Sequence, residues 1–174
     1  MSREQRAAVS VLVDIPLARA WANLADFSLA HNYVPGLTRT EIVSEQSSGV
    51  GAHRRVYKGA SYLEETISEW REGQGFSIAL HKGDKPMPPF RRAEFVYDLY
   101  ARGEQTMVEL SLGFVMPLGG LGRILGRGVM LPAINKQLVG VAAGMKHFYE
   151  TGTPASNEDR KRLAGSVEIA PAST

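Results

Sequence analysis

Residues 49–70 read GVGAHRRVYKGASYLEETISEW. Two extended runs flank a turn at Lys58-Gly59-Ala60-Ser61. Strand side chains alternate between faces, so positions two apart share one. Val56 marks the apolar side of the first run, Leu63 and Ile67 that of the second. Arg54 falls on the side of Val56, and Glu65 lies between Leu63 and Ile67. A hairpin turning at Gly59-Ala60 makes Arg54 and Glu65 cross-strand partners on one face. The side of the hairpin that should be buried therefore carries an arginine and a carboxylate.

Upstream, Val9, Val11, Val13 and Ile15 alternate with Ser10 and Asp14, which predicts a half-buried strand over 8–15. Pro16 suits a first helical turn, and Leu17, Ala20, Trp21 and Leu24 recur at helical spacing. Residues 28–37 read as a second short helix ending before Pro35-Gly36. Strands are expected over 38–45, 51–58, 61–72, 75–81, 91–102 and 104–116, mostly joined by tight turns, hence an antiparallel sheet of about seven. Three prolines and a glycine exclude KGDKPMPP (82–89) from a strand interior.

Residues 117–132, PLGGLGRILGRGVMLP, are apolar and glycine-rich, and Pro132 should kink whatever helix forms. Arg123 and Arg127 give this piece a cationic rim. It can touch an anionic membrane surface or pack on the sheet edge. A helix follows over 133–150, with Ile134, Leu138, Val141, Ala142, Met145, Phe148 and Tyr149 on one stripe. Residues 153–174 are small and polar and are expected to form a disordered tail.

The 174 residues suffice for one domain with a core. A net charge of +2 and short, separate basic clusters argue against nucleic-acid binding. No apolar run reaches the about 18 residues of a membrane span, and the start has no signal-peptide pattern. No cysteine is present, which excludes disulfides and thiol catalysis, and a cytoplasmic setting is the default. His31, His53, His81 and His147 are scattered without ligand spacing, so no metal is expected. GGLGRILG (119–126) lacks the spacing and βαβ context of a dinucleotide loop, and no cofactor is expected.

The element order predicts an α+β fold in which the long terminal helix covers one face of the sheet. It also resembles a known family, the START-like superfamily with the helix-grip fold, in its polyketide cyclase/dehydrase and lipid-transport branch. The resemblance spans about residues 8–152. It rests on VSVLVDIPLARAWANLADF (9–27), on GVGAHRRV (49–56) as a G-x-x-R strand, on EETISEW (64–70), and on GMKHFYE (144–150) in the last helix. It implies a START-like domain over 1–152, in which a curved sheet grips the helix around a ligand chamber. It also implies that positions 54 and 65 face that chamber.

Three readings follow. In the first, the chain binds or carries a hydrophobic small molecule such as a lipid, isoprenoid or polyketide-like compound. The cavity would be walled by Val56, Ile67, Phe76, Ile78, Phe90, Leu110, Leu112, Leu138, Ala142 and Met145, residues that equally suit a filled core. Arg54 and Glu65 would anchor the ligand, or else form a structural ion pair. In the second, a cyclase, aromatase or dehydratase uses the same cavity, with Arg54 polarising a carbonyl and Glu65 moving a proton. In the third, the core is filled and residues 117–132 meet a partner or membrane. Tyr57 and Tyr97 offer hydroxyls whose facing the pattern leaves open. His81 is placed either at the cavity mouth or on the surface, and loops 58–61 and 82–89 beside the entrance.

Overall fold

Alternating burial along Gln5–Val13 gives this strand (β1) one fully buried face. The structure, a computed structural model, describes residues 4–171, with the side chain of Arg123 outside the described set. Helix α1 (Leu17–Ala25) starts directly after Pro16, and a single 3-10 turn follows at Ala30–Asn32 where a short helix was expected. The sheet continues through β2 (Arg39–Ile42), β3 (His53–Lys58), β4 (Ser61–Arg71), β5 (Gly75–Lys82), β6 (Lys85–Pro86), β7 (Arg92–Arg102) and β8 (Gln105–Val115). Helix α2 (Gly119–Leu125) runs through a π turn at Gly126–Met130 into α3 (Leu131–Thr151). The chain closes with α4 (Asn157–Leu163) and β9 (Val167–Ile169).

The strands form one antiparallel sheet in the order β2-β3-β4-β5-β7-β8-β1-β9, with β6 on the end of β5. This is the expected α+β helix-grip architecture, with nine strands rather than seven. One extra strand is β6, whose two residues lie in the Pro-rich loop expected to exclude a strand. Pro86 is tolerated there because β6 pairs with β5 alone. The hairpin register sets Arg54 opposite Glu65 and Val56 opposite Leu63, as the turn position requires.

The other extra strand corrects the reading of the C-terminus. Residues 157–163 form α4 and 167–169 form β9, where a disordered tail was expected. Ser156 and Asp159 make a reciprocal capping box at the start of α4. Pairing of β9 with β1 closes that sheet edge. The helix also supports the site, because the guanidinium of Arg160 donates to the Tyr33 carbonyl at 3.2 Å.

Pro132 lies in the first turn of α3, directly after the π turn. Lacking an N–H, it cannot complete the helical ladder, and the chain takes the π turn immediately before it. Among the described residues, no helix is long and apolar enough to cross a membrane.

Candidate functional site

Helix α3 packs mainly on β1, with β9 and β8 beside it, whereas α1 packs on β5, β7 and β8. Neither helix fills the space over the inward ends of β3 and β4. A cavity of about 610 Å³ remains there. Its wall is mostly apolar, contributed by the sheet at Val56, Leu80, Phe95 and Leu112 and by α3 at Ile134, Leu138 and Val141. Lys58 and Ser61, at the facing ends of β3 and β4, and the loop residues Pro88 and Pro89 also line it.

Of the residues expected at the wall, Val56, Glu65, Phe90, Leu112 and Leu138 line this cavity. Ile67, Phe76, Ile78, Leu110, Ala142 and Met145 do not, and belong to the packed core. Strand parity assigns them the right face but not the level along it. One level beyond Glu65 and Leu80 come Ile67 and Ile78. There Phe76 meets Phe27 edge-on at 5.7 Å, stacks on Trp70 at 5.5 Å and touches Tyr97 at 5.1 Å. Aromatic rings occupy the volume at that end.

Arg54 is 1% exposed and also lies outside the wall. Its Nε donates to Glu65 Oε2 at 2.6 Å, and its Nη1 donates to the Phe27 carbonyl at 2.7 Å. Its Nη2 also pairs with Oε2, and the guanidinium covers the Phe27 ring 3.8 Å from the centroid. Burial pulls its pKa down. The Glu65 carboxylate, then Tyr33 and Tyr97, outweigh that and hold it above the ordinary arginine value. Arg54 is thus placed against Glu65 and the Phe27 carbonyl rather than at the cavity wall, where a ligand-gripping arginine was expected.

The accessible partner is Glu65. Its side chain is 12% exposed and lines the cavity. Both Arg54 contacts fall on Oε2, and among the described residues Oε1 accepts no hydrogen bond. Oε1 is also absent from the fully buried polar atoms without a partner, so it is open to the cavity. Beside it, Tyr97 lines the wall. Burial, followed by neighbouring Tyr33, pushes its phenol well above the usual tyrosine range, with Arg54 pulling the other way, so it stays neutral. The polar end of the cavity thus offers an anionic acceptor beside a neutral hydroxyl.

Compared with known proteins, a family model described as polyketide cyclase / dehydrase and lipid transport matches residues 4–147. The chain belongs to this family. Among curated protein sequences, none matches it. Solved structures similar to this family member include a structural-genomics target from Nitrosospira multiformis, 15% identical with a TM-score of 0.67, matched over 84% of this chain and 97% of that one. A START superfamily protein from Mycobacterium smegmatis is 16% identical with a TM-score of 0.61, over 86% and 99%. A putative protein of the dynemicin biosynthetic locus is 15% identical with a TM-score of 0.62, over 86% of this chain and 48% of that longer one. These likenesses are in fold.

In this family member, Tyr57 and His81 face away from the cavity. Tyr57 donates to Glu41 at 2.7 Å on the outer face. His81 Nδ1 lies 2.9 Å from the Gly83 carbonyl and Nε2 2.8 Å from Thr66 Oγ1. Sequence reasoning left Tyr97 open and missed Phe27 and Tyr33. For Tyr97 a signal existed, since Ala93, Phe95, Tyr97 and Leu99 share a parity. Tyr33 and Phe27 lie in the 26–35 connection, where no periodicity applies.

Gly140 and Gly144 also find their role here. A Cβ on Gly140 would come 2.9 Å from Pro35 Cγ, and one on Gly144 2.1 Å from the Tyr33 carbonyl oxygen. They admit the 33–35 segment against α3. Gly144→Ala is therefore expected to destabilise the protein by about 2 kcal/mol in urea unfolding. The overpacking exceeds the ~1 kcal/mol gained in helix propensity. A neutral or stabilising result would mean that Tyr33 is not held against this helix.

Proposed function

We propose that this protein is a cytoplasmic binder or carrier of a hydrophobic small molecule whose hydroxyl group meets Glu65. The observation that carries the reading is the free Oε1 of Glu65 at the wall of an otherwise apolar cavity. A volume of about 610 Å³ falls within the range of small-molecule sites. An alcohol can donate to that oxygen and accept from the Tyr97 phenol. A ketone or ether offers the carboxylate nothing and leaves it facing apolar carbon. Family membership supports a hydrophobic guest, and a lipid, isoprenoid or polyketide-like compound fits the wall.

Farnesol and its methyl ether, titrated in parallel by calorimetry, test this. The alcohol should bind roughly tenfold tighter, since a hydrogen bond to a charged group contributes about 1.5–3 kcal/mol. In Glu65→Gln, Arg54 keeps the side-chain carbonyl as its acceptor, which turns the amide NH₂, a donor, to the cavity. The preference should then shift to the ether. Equal affinities in the wild-type protein would remove the assigned role of Glu65.

A second reading draws on the same carboxylate. Glu65 Oε1 is placed to take a proton from a folded polyketide-type substrate, with Tyr97 as a neutral donor to an oxygen that gains charge. Glu65→Gln would then abolish turnover while leaving substrate affinity nearly intact. Retained turnover would end this reading. The third reading takes a filled core as its premise, and the cavity beside Glu65 favours the first two over it.

A further inference from the structure

Helix α2 and the π turn after it carry their amphipathic pattern inside out. A surface helix ordinarily turns its large apolar residues inward. Here the glycines face in: a Cβ on Gly122 would come 1.9 Å from the Pro117 carbonyl oxygen, and one on Gly126 2.5 Å from the side-chain amide of Gln5. The large residues face out. Leu118 is 72% exposed, Leu121 61%, Ile124 70%, Leu125 46% and Val129 62%. Five apolar side chains in twelve consecutive residues form an exposed patch of the kind that marks a contact surface.

Charge decides among the occupants. Between Glu109 and Glu150 the sequence has no aspartate or glutamate. Arg127 is exposed within the patch and Lys136 two turns beyond it. Arg91 is exposed as well, and its backbone bonds to Val115, three residues before Leu118. A second copy of the chain docking through this face would set arginine against arginine, with no carboxylate from the segment to pair with them. Exposed apolar side chains on a segment whose own charges are all positive match the interface of an anionic bilayer. Position agrees. Met130, Ala133 and Ile134, next along the same helical run, line the cavity.

We propose that the Leu118–Val129 surface seats on anionic lipid bilayers and brings the Met130–Ile134 end of the cavity to the lipid. The docking is read from the surface alone. A role in loading cargo from the bilayer rests on the carrier reading above.

The test is flotation with phosphatidylcholine vesicles, with and without phosphatidylglycerol. The wild-type protein should float with the anionic vesicles and lose binding as salt is raised. Leu121→Glu/Ile124→Glu should weaken binding at least about tenfold, and Arg127→Glu by roughly as much on anionic vesicles only. These side chains are exposed, so circular dichroism and farnesol affinity should be unchanged. That readout separates failed docking from failure of the cavity reading. The proposal is overturned if the wild-type protein floats with neither vesicle, or if the double substitution leaves flotation unchanged. It is equally overturned if Ile124→Glu abolishes a concentration-dependent dimer, which would make a second copy the occupant.

Discussion

Arg54→Ala is expected to destabilise the protein by about 3–5 kcal/mol, the range for breaking a buried pair on one side. The guanidinium is 1% exposed and donates to both Glu65 and the Phe27 carbonyl. Its removal leaves a carboxylate facing an apolar cavity, a backbone carbonyl without its donor, and a void beside the Phe27 ring. Arg54→Lys should recover only part of the loss, because one ammonium cannot reproduce the planar fork that serves both acceptors. Arg54→Met combined with Glu65→Leu should be far less destabilised than Arg54→Ala, since no charge is stranded. That pair of variants separates the two components of the hairpin's ion pair. If it is stable but does not distinguish farnesol from its ether, the pair serves ligand selection rather than the fold. Urea unfolding supplies the free energies. An Arg54→Ala loss within the ±0.5 kcal/mol typical of surface positions would contradict the buried geometry.

Val141→Trp should reduce affinity for a guest that fills the cavity by roughly a hundredfold, or ~2.7 kcal/mol, while shifting stability by about 1 kcal/mol or less. Val141 is 2% exposed and faces the void from α3. An indole there enters empty space instead of displacing packed neighbours, so the usual overpacking penalty is small. The guest loses the same space. Met145, four residues past the wall residue Val141 on the helix and buried in the packed core, provides the contrast. Met145→Trp should unfold the protein more readily. If Val141→Trp instead destabilised the fold by several kcal/mol with binding intact, that region would be packed solid and the guest would lie elsewhere.

The local parts of this structure were legible in the sequence. Alternation at Val9, Val11 and Val13 needs only the two-residue period of a strand. The Arg54–Glu65 pairing needs only the turn at Gly59-Ala60. The remainder depends on contacts between distant segments. Parity placed Ile67 and Phe76 on the inward face, but Phe27, arriving from the end of α1, closes that level and leaves the level of Glu65 open. The same residue supplies the carbonyl that occupies Arg54. Residues 157–163, NEDRKRL, have no apolar stripe beyond Leu163. Their helix depends on the Ser156–Asp159 cap and on Arg160 reaching Tyr33, neither of which periodicity records. The outward-facing leucines of 118–125 read as an ordinary amphipathic piece until Gly122 and Gly126 are found on the inner side.

The most direct measurement is a crystal structure of the protein loaded with farnesol. The account predicts density for the chain beneath α3, between Leu112 and Val141, with the hydroxyl oxygen within about 3 Å of Glu65 Oε1 and Arg54 still bonded to Oε2. A closed, empty interior, or a hydroxyl turned to the loops at Lys58 with Glu65 left facing carbon, would contradict it.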